Sequence, residues 1–134
     1  MSTAPGSRKR ALRRYVLYAI ALGFALSAVV CLLDADDMAA SMGIFLNGVN
    51  GYSQFCAIHV GVWLATAVLA LLAARRGAQP ILGDITAMFV LAPPAGSLLA
   101  ALAFGWPQGI LLVTCGAELA GGLVLLAFRP APLR

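Results

Sequence analysis

The strongest chemical signal in the chain is one carboxylate in a long uncharged stretch, Glu118, near the middle of the apolar run 108–128. Helix rise would place it about 15 Å from either end of that run. An ionised carboxylate at such depth in hydrocarbon is costly, so it must face a bundle interior, a cavity or a partner. Two chemistries are open to it. Glu118 binds a proton or a ligand, or it serves as a neutral carboxyl bonded across helices as packing glue.

The only histidine, His59, belongs to a second polar stripe. Cys56, His59, Trp63 and Thr66 recur at helical spacing, and Thr114, Cys115, Glu118, Gly121 and Gly122 form a comparable face. Helical side chains lean towards their own N-terminus, so both groups lean the same way in a bundle. The expectation is a polar centre of Glu118, His59, Thr114, Cys115, Cys56 and Trp63, with His59 as the nearest polar neighbour of Glu118. The plainer alternative is a neutral His59 bonded to a backbone carbonyl.

No catalytic residue, metal site or cofactor is expected. Cys56 and His59 supply two ligands one turn apart, whereas structural zinc takes four. Covalent haem would need Cys-x-x-Cys-His, and a lone histidine excludes bis-histidine haem within one chain. The three cysteines form no Cys-x-x-Cys pair, which disfavours a quinone-linked thiol oxidase. Cys31 and Cys56 fall at similar depth, where a disulfide is conceivable; buried free thiols are the simpler reading.

The elements that must position these residues are set by composition. The 134 residues are 62% hydrophobic and only 10% charged, with a mean hydropathy of +0.95. A water-soluble domain carries about 25% charged residues. Neither a soluble nor a disordered chain fits, which leaves an integral membrane protein. Four continuous apolar runs, at about 15–33, 53–74, 85–104 and 108–128, each approach the roughly 20 residues of a spanning helix. A membrane β-barrel would alternate apolar and polar residues instead. The expected fold is therefore all-α: a polytopic membrane four-helix bundle, 15–128, between a basic tail at 1–14 and a second tail at 129–134. The first run is longer than the apolar region of a secretory signal, so no cleavage is expected.

Charge sets the expected orientation. Arg8, Lys9, Arg10, Arg13 and Arg14 precede the first run, Arg75 and Arg76 close the second, and Arg129 and Arg134 come after the last. Four spans with both termini cytoplasmic place all nine basic residues inside, and the reverse places all nine outside. The expected location is a bacterial inner membrane. No basic patch is interleaved with exposed aromatics, so nucleic acid is not an expected partner.

The connections differ. Between the first two spans, the apolar stretch 38–46 is too short to cross and reads as an interfacial helix, trailed by Asn47-Gly48 and Asn50-Gly51 turn signals. Asp84 is expected to cap the third helix after the turn containing Gly77 and Pro80. Trp106 marks a tight outer turn at aromatic-belt depth. Pro93 and Pro94 are expected to kink the third helix by removing two amide donors. Residues 1–7 are expected to be disordered.

The order of a short outer helix, Met42 to Gly48, a span bearing Gly and Trp, and a last span with Ala117-Glu118-Leu119 resembles a bacterial family of four-helix membrane proteins of unknown function, loosely DoxX-like. The resemblance covers about 26–128. It implies the fold and no activity. An arginine early in the family's second span and another in its third have no counterpart in 54–59 or 94–97.

Three functions are carried forward. The first is a non-catalytic accessory or assembly subunit of a larger membrane complex. The second is a small proton-coupled transporter, or a membrane protein binding a small apolar ligand, with Glu118 as the working carboxyl and a homodimer as the working form. Four spans and one membrane glutamate resemble the small multidrug-resistance transporters, which carry theirs in the first span. The third is a membrane enzyme using His59 and Glu118 as acid and base. Besides any such partner, the bilayer itself is the expected surrounding.

Orientation is testable directly. In a background lacking Cys31, Cys56 and Cys115, a thiol reagent added outside should label Asp36→Cys but not Ala78→Cys or Pro132→Cys. The opposite labelling would reverse the topology.

Overall fold

The computed structural model describes residues 5–77 and 79–130. Most of the expected 1–7 disorder and of the C-terminal tail lies outside these. The fold is all-α: α1 (Pro5–Leu33), α2 (Ala35–Ser41), α3 (Gly48–Cys56), α4 (Trp63–Arg75), α5 (Pro80–Phe104) and α6 (Ile110–Ala127). A π-helical segment, Ala57–Val62, joins α3 to α4 in one continuous rod, Gly48–Arg75. This rod, α1, α5 and α6 are each long and apolar enough to cross a membrane. The chain is a multi-pass membrane protein.

The helices overrun the apolar runs that announce them. From Pro5, α1 carries Arg8 to Arg14 on regular helix, in place of an irregular basic tail. The third span also starts early, because Pro80 takes the first helical position. Proline suits that position, where no amide donor is required and φ is already helical. Gln79 is therefore the N-cap residue, and Asp84 lies inside the helix and caps nothing. Pro93 and Pro94 do not divide α5, whose α-helical backbone is unbroken from Pro80 to Phe104. The departure from α-helical geometry sits in the second span, in the π segment.

Two helix pairs build the bundle. The first is α1 against α4, and the second is α5 against α6, with α4 and α5 joining them. The α1–α4 seam is close because α4 presents Ala70, Ala73 and Ala74, all buried against Leu17. Lipid tails are as apolar as the side chains, so small residues that admit close van der Waals contact drive such packing. Ala87 and Leu125 bring α5 and α6 onto the same core. Gly122 serves the second seam, since a Cβ there would overlap the Leu91 side chain. At the far end, α2 closes over the bundle through Ala39 and Met42, packed on Cys31 and Phe55. A short helix does stand between the first two spans, but at Ala35–Ser41 and not over 38–46, because Asp34 caps it by accepting from the Asp37 amide at 3.2 Å; Asn50-Gly51, expected as a turn, lies within α3.

The opposite end is fastened by charge. Arg13 is 5% exposed, and its Nη2 donates to Asp84 Oδ1 at 2.6 Å. The other carboxylate oxygen accepts from Arg129 Nε at 2.8 Å. One aspartate therefore ties α1, α5 and the residues after α6. Gly83 makes room: a Cβ there would lie 2.7 Å from Arg13 Nη2.

Removing one partner of a buried pair strands the other, at about 3–5 kcal/mol, whereas an exposed pair contributes about 1 kcal/mol or less. Asp84→Ala should therefore lower stability by about 3 kcal/mol or more in a detergent-unfolding titration. Arg129→Gln, whose side chain is 57% exposed, should cost about 1 kcal/mol at most. Equal losses would show that the buried arm is not the dominant one.

Candidate functional site

The pairwise packing leaves α1 and α6 loosely joined, and between them lies a cleft of about 400 Å³. Its α1 wall recurs at helical spacing: Val16, Ala19 and Ile20, Gly23 and Phe24, then Ser27. The α6 wall is Thr114, Ala117, Glu118 and Gly121; Trp63 and Val90 contribute from the second and third spans. Small residues on both walls keep the space open.

Glu118 is the one ionisable group of this lining. It is half-buried. Among the described residues, no hydrogen bond or ion pair engages its carboxyl group. Thr114 beside it already donates to the Ile110 and Leu111 carbonyls, at 3.1 and 3.2 Å. An otherwise apolar cleft therefore holds a single strong polar handle at mid-membrane depth. That arrangement suits a ligand with an apolar body and one cationic or hydrogen-bond-donating group.

His59 is not brought to Glu118. Its Nδ1 lies 3.2 Å from the Phe55 carbonyl, the backbone bond of the plainer alternative. A carbonyl only accepts, so the proton sits on Nδ1. The ring stacks on Phe55 at 4.4 Å and meets Trp63 edge-on at 5.0 Å. Trp63 in turn makes an edge contact with Phe24 at 6.1 Å. An aromatic column thus runs from the α2 end of the bundle into the cleft, ending at the two rings that line it.

The remaining members of the expected polar centre disperse. Trp63 and Thr114 share the cleft with Glu118, while Cys56 packs at the α2 end on the cluster of buried Cys31, which Trp63 also touches. Both thiols are free, as is Cys115, which is not part of the cleft lining. Thr66, on the same predicted stripe, donates to the Val62 carbonyl at 2.8 Å. Pro93 and Pro94 do not line the cleft, although Val90, one turn before Pro94, does. Among the described residues, no cluster of three or more His, Cys, Asp or Glu forms a metal site. Sequence reasoning misses the α1 wall, because a stripe of Val, Ala, Ile, Gly, Phe and Ser has no polar signature to separate it from a lipid-facing one.

No family model, curated protein or solved structure matches this chain.

The separation of His59 from Glu118 has a thermodynamic signature. Unconnected sites add to within about 0.5 kcal/mol, while touching residues couple by about 0.5–3 kcal/mol. His59→Leu and Glu118→Gln should be additive in unfolding free energy, and His59→Leu with Trp63→Leu should not. Strong coupling in the first cycle would restore the paired centre.

Proposed function

We propose that this protein binds a small amphipathic ligand from the bilayer in the α1–α6 cleft, with Glu118 as the anchoring carboxyl. The observation that carries this reading is the unpartnered Glu118 in an otherwise apolar, laterally placed cleft. A carboxylate is costly at that depth, and a cationic ligand offsets that cost while its apolar body fills the space. Exchange of the cation for a proton would leave the empty site neutral, which makes proton-coupled transport the extension of the same chemistry. No catalytic step is part of the proposal, since His59 stands apart in the aromatic column.

The proposed setting is a bacterial inner membrane with both termini cytoplasmic. All four spans have one end at the Arg13–Asp84–Arg129 clasp or beside it, and the described basic residues gather at that end. The positive-inside rule then assigns it to the cytoplasm. A second reading, an accessory subunit, is supported by the same opening: a partner's helix with a polar group would satisfy Glu118 as a ligand would. A small-molecule probe separates the two readings.

With tetraphenylphosphonium as an apolar cation, equilibrium binding to the detergent-solubilised protein should be saturable. Glu118→Gln should weaken it by about tenfold or more, as expected for losing one charge-assisted contact. Ala117→Leu, which fills the cleft and leaves the carboxylate, should weaken it as well. Binding unchanged by both variants would remove the ligand reading, and co-purification of a membrane protein lost in Ala117→Leu would favour the accessory one.

A further inference from the structure

The basic end of the bundle holds a second concavity, about 680 Å³, that the Glu118 reading does not use. Arg10 and Arg14 of α1 and Arg75 of α4 line it, and buried Arg13 lies against its floor beside Gly83. Asp84 is occupied through both oxygens by Arg13 and Arg129. Among the described residues, no acid pairs with Arg10, Arg14 or Arg75. Four guanidinium groups thus line one pocket, and among the described residues the carboxylate bonded to them, Asp84, is already shared.

A second observation is a positive charge fixed beneath the pocket. Arg13 Nε is buried and has no hydrogen-bond partner, although the rest of its guanidinium is bonded. Arg13 is also held in place from three sides, with Nη2 on Asp84, Nη1 donating to the Pro80 carbonyl at 3.4 Å, and the backbone at Gly83 pressed against its guanidinium. Its charge is fixed, while the exposed Arg10, Arg14 and Arg75 can swing onto a ligand.

Depth selects the source of the anion. Arg14 immediately precedes Tyr15, where α1 turns apolar, and Arg75 comes directly after Ala74, where the apolar part of α4 ends. The pocket therefore lies where the helices leave hydrocarbon for headgroups, and basic pockets between spanning helices at that level suit phosphorylated lipids. We propose that it binds the phosphate headgroup of an anionic phospholipid, with Arg10, Arg14 and Arg75 as its ligands and Arg13 as the fixed positive floor. Arginine matches phosphate through paired donors, so the site should select an anionic headgroup over a zwitterionic one.

The test uses the full chain in a zwitterionic background of phosphatidylcholine, with phosphatidylglycerol titrated and bound lipid counted by native mass spectrometry. One phosphatidylglycerol should be retained in preference to phosphatidylcholine. At about fivefold per arginine near a headgroup, Arg75→Gln alone should weaken retention about fivefold. R10Q/R14Q/R75Q together should exceed that loss clearly. R8Q/K9Q/R76Q removes the same charge from residues outside the lining and should leave retention nearly unchanged. The altered residues are exposed, and a melting curve for each variant confirms that the fold survives. Equal weakening by the two triple variants would mean diffuse attraction and overturn the site. Displacement of phosphatidylglycerol by millimolar inorganic phosphate would assign the pocket to free phosphate and overturn the lipid source.

Discussion

The carboxylate of Asp84 is the constraint on which the arrangement of the spans turns. Apolar helices in a bilayer gain no hydrophobic free energy by meeting, so close packing and polar bonds must decide who neighbours whom. Alanine-rich α4 selects α1, and α5 selects α6, which leaves two pairs. Asp84 then takes Arg13 from the first pair and Arg129 from beyond the second, through different oxygens. Neither arm could be moved without stranding a charge, and the Arg13 arm is buried deeply enough for that to be expensive. At the other end the work is done by packing, where Ala39 of α2 and its C-cap Met42 seat on Cys31 and Phe55. The Tyr52 hydroxyl adds a bond to Asp36 at 2.6 Å. With both ends fastened, the middle of the α1–α6 contact stays loose, and the cleft is the result.

Much of this fold was legible because hydropathy and length suffice for it. Continuous apolar runs of about 20 residues admit few alternatives to spanning helices. The short helix between the first two spans was readable in part: 38–46 is apolar yet too short to cross, but the helix occupies Ala35–Ser41, where the Asp34 cap starts it. The clasp was not readable. Arg13 belongs to a run of five basic residues, and nothing in its type distinguishes it from Arg10 or Arg14. Only the position of Gly83, which accommodates a guanidinium where any Cβ would collide, makes Arg13 the buried one. Asp84 misled for a related reason. An acid near a helix start suggests a cap, but Pro80 begins the helix four residues earlier.

The second span departs from the α-helical geometry on which the expected stripe rests. Cys56, His59, Trp63 and Thr66 form one stripe only on a helix with 3.6 residues per turn. Ala57–Val62 is wound as a π-helix, and each added residue rotates the C-terminal part of the rod by about 100°. Cys56 and Trp63 nevertheless pack against the same end cluster, and Phe55, His59 and Trp63 keep ring contact across the segment. Cys56 stays in that cluster, while Trp63 packs on it and also reaches the cleft. His59 bridges the two regimes. It bonds back to the Phe55 carbonyl and stacks along the segment, so it acts on the rod's own geometry. A π segment sacrifices α-helical bonds, and such segments occur frequently at functional sites. Here it ends at Trp63, which lines the Glu118 cleft.

Glu118 occupies an intermediate position that neither simple account of a membrane carboxyl describes. Were it structural glue, it would have a hydrogen-bond partner on a neighbouring helix, as Thr66 and Thr86 have within their own helices at 2.8 Å. Were it merely tolerated, it would sit near a helix end, where its head could reach water. Its carboxyl is instead half-buried, central in α6 and unengaged among the described residues. The walls around it are built from Gly23, Ala19, Ala117 and Gly121, which withhold volume where larger side chains would have closed the space. Tight packing elsewhere in the chain shows that the sequence can close such gaps, as the alanine seam of α4 does. Room beside the costliest side chain in the spans is thus a property of the fold, and its simplest use is to admit the group that satisfies that side chain.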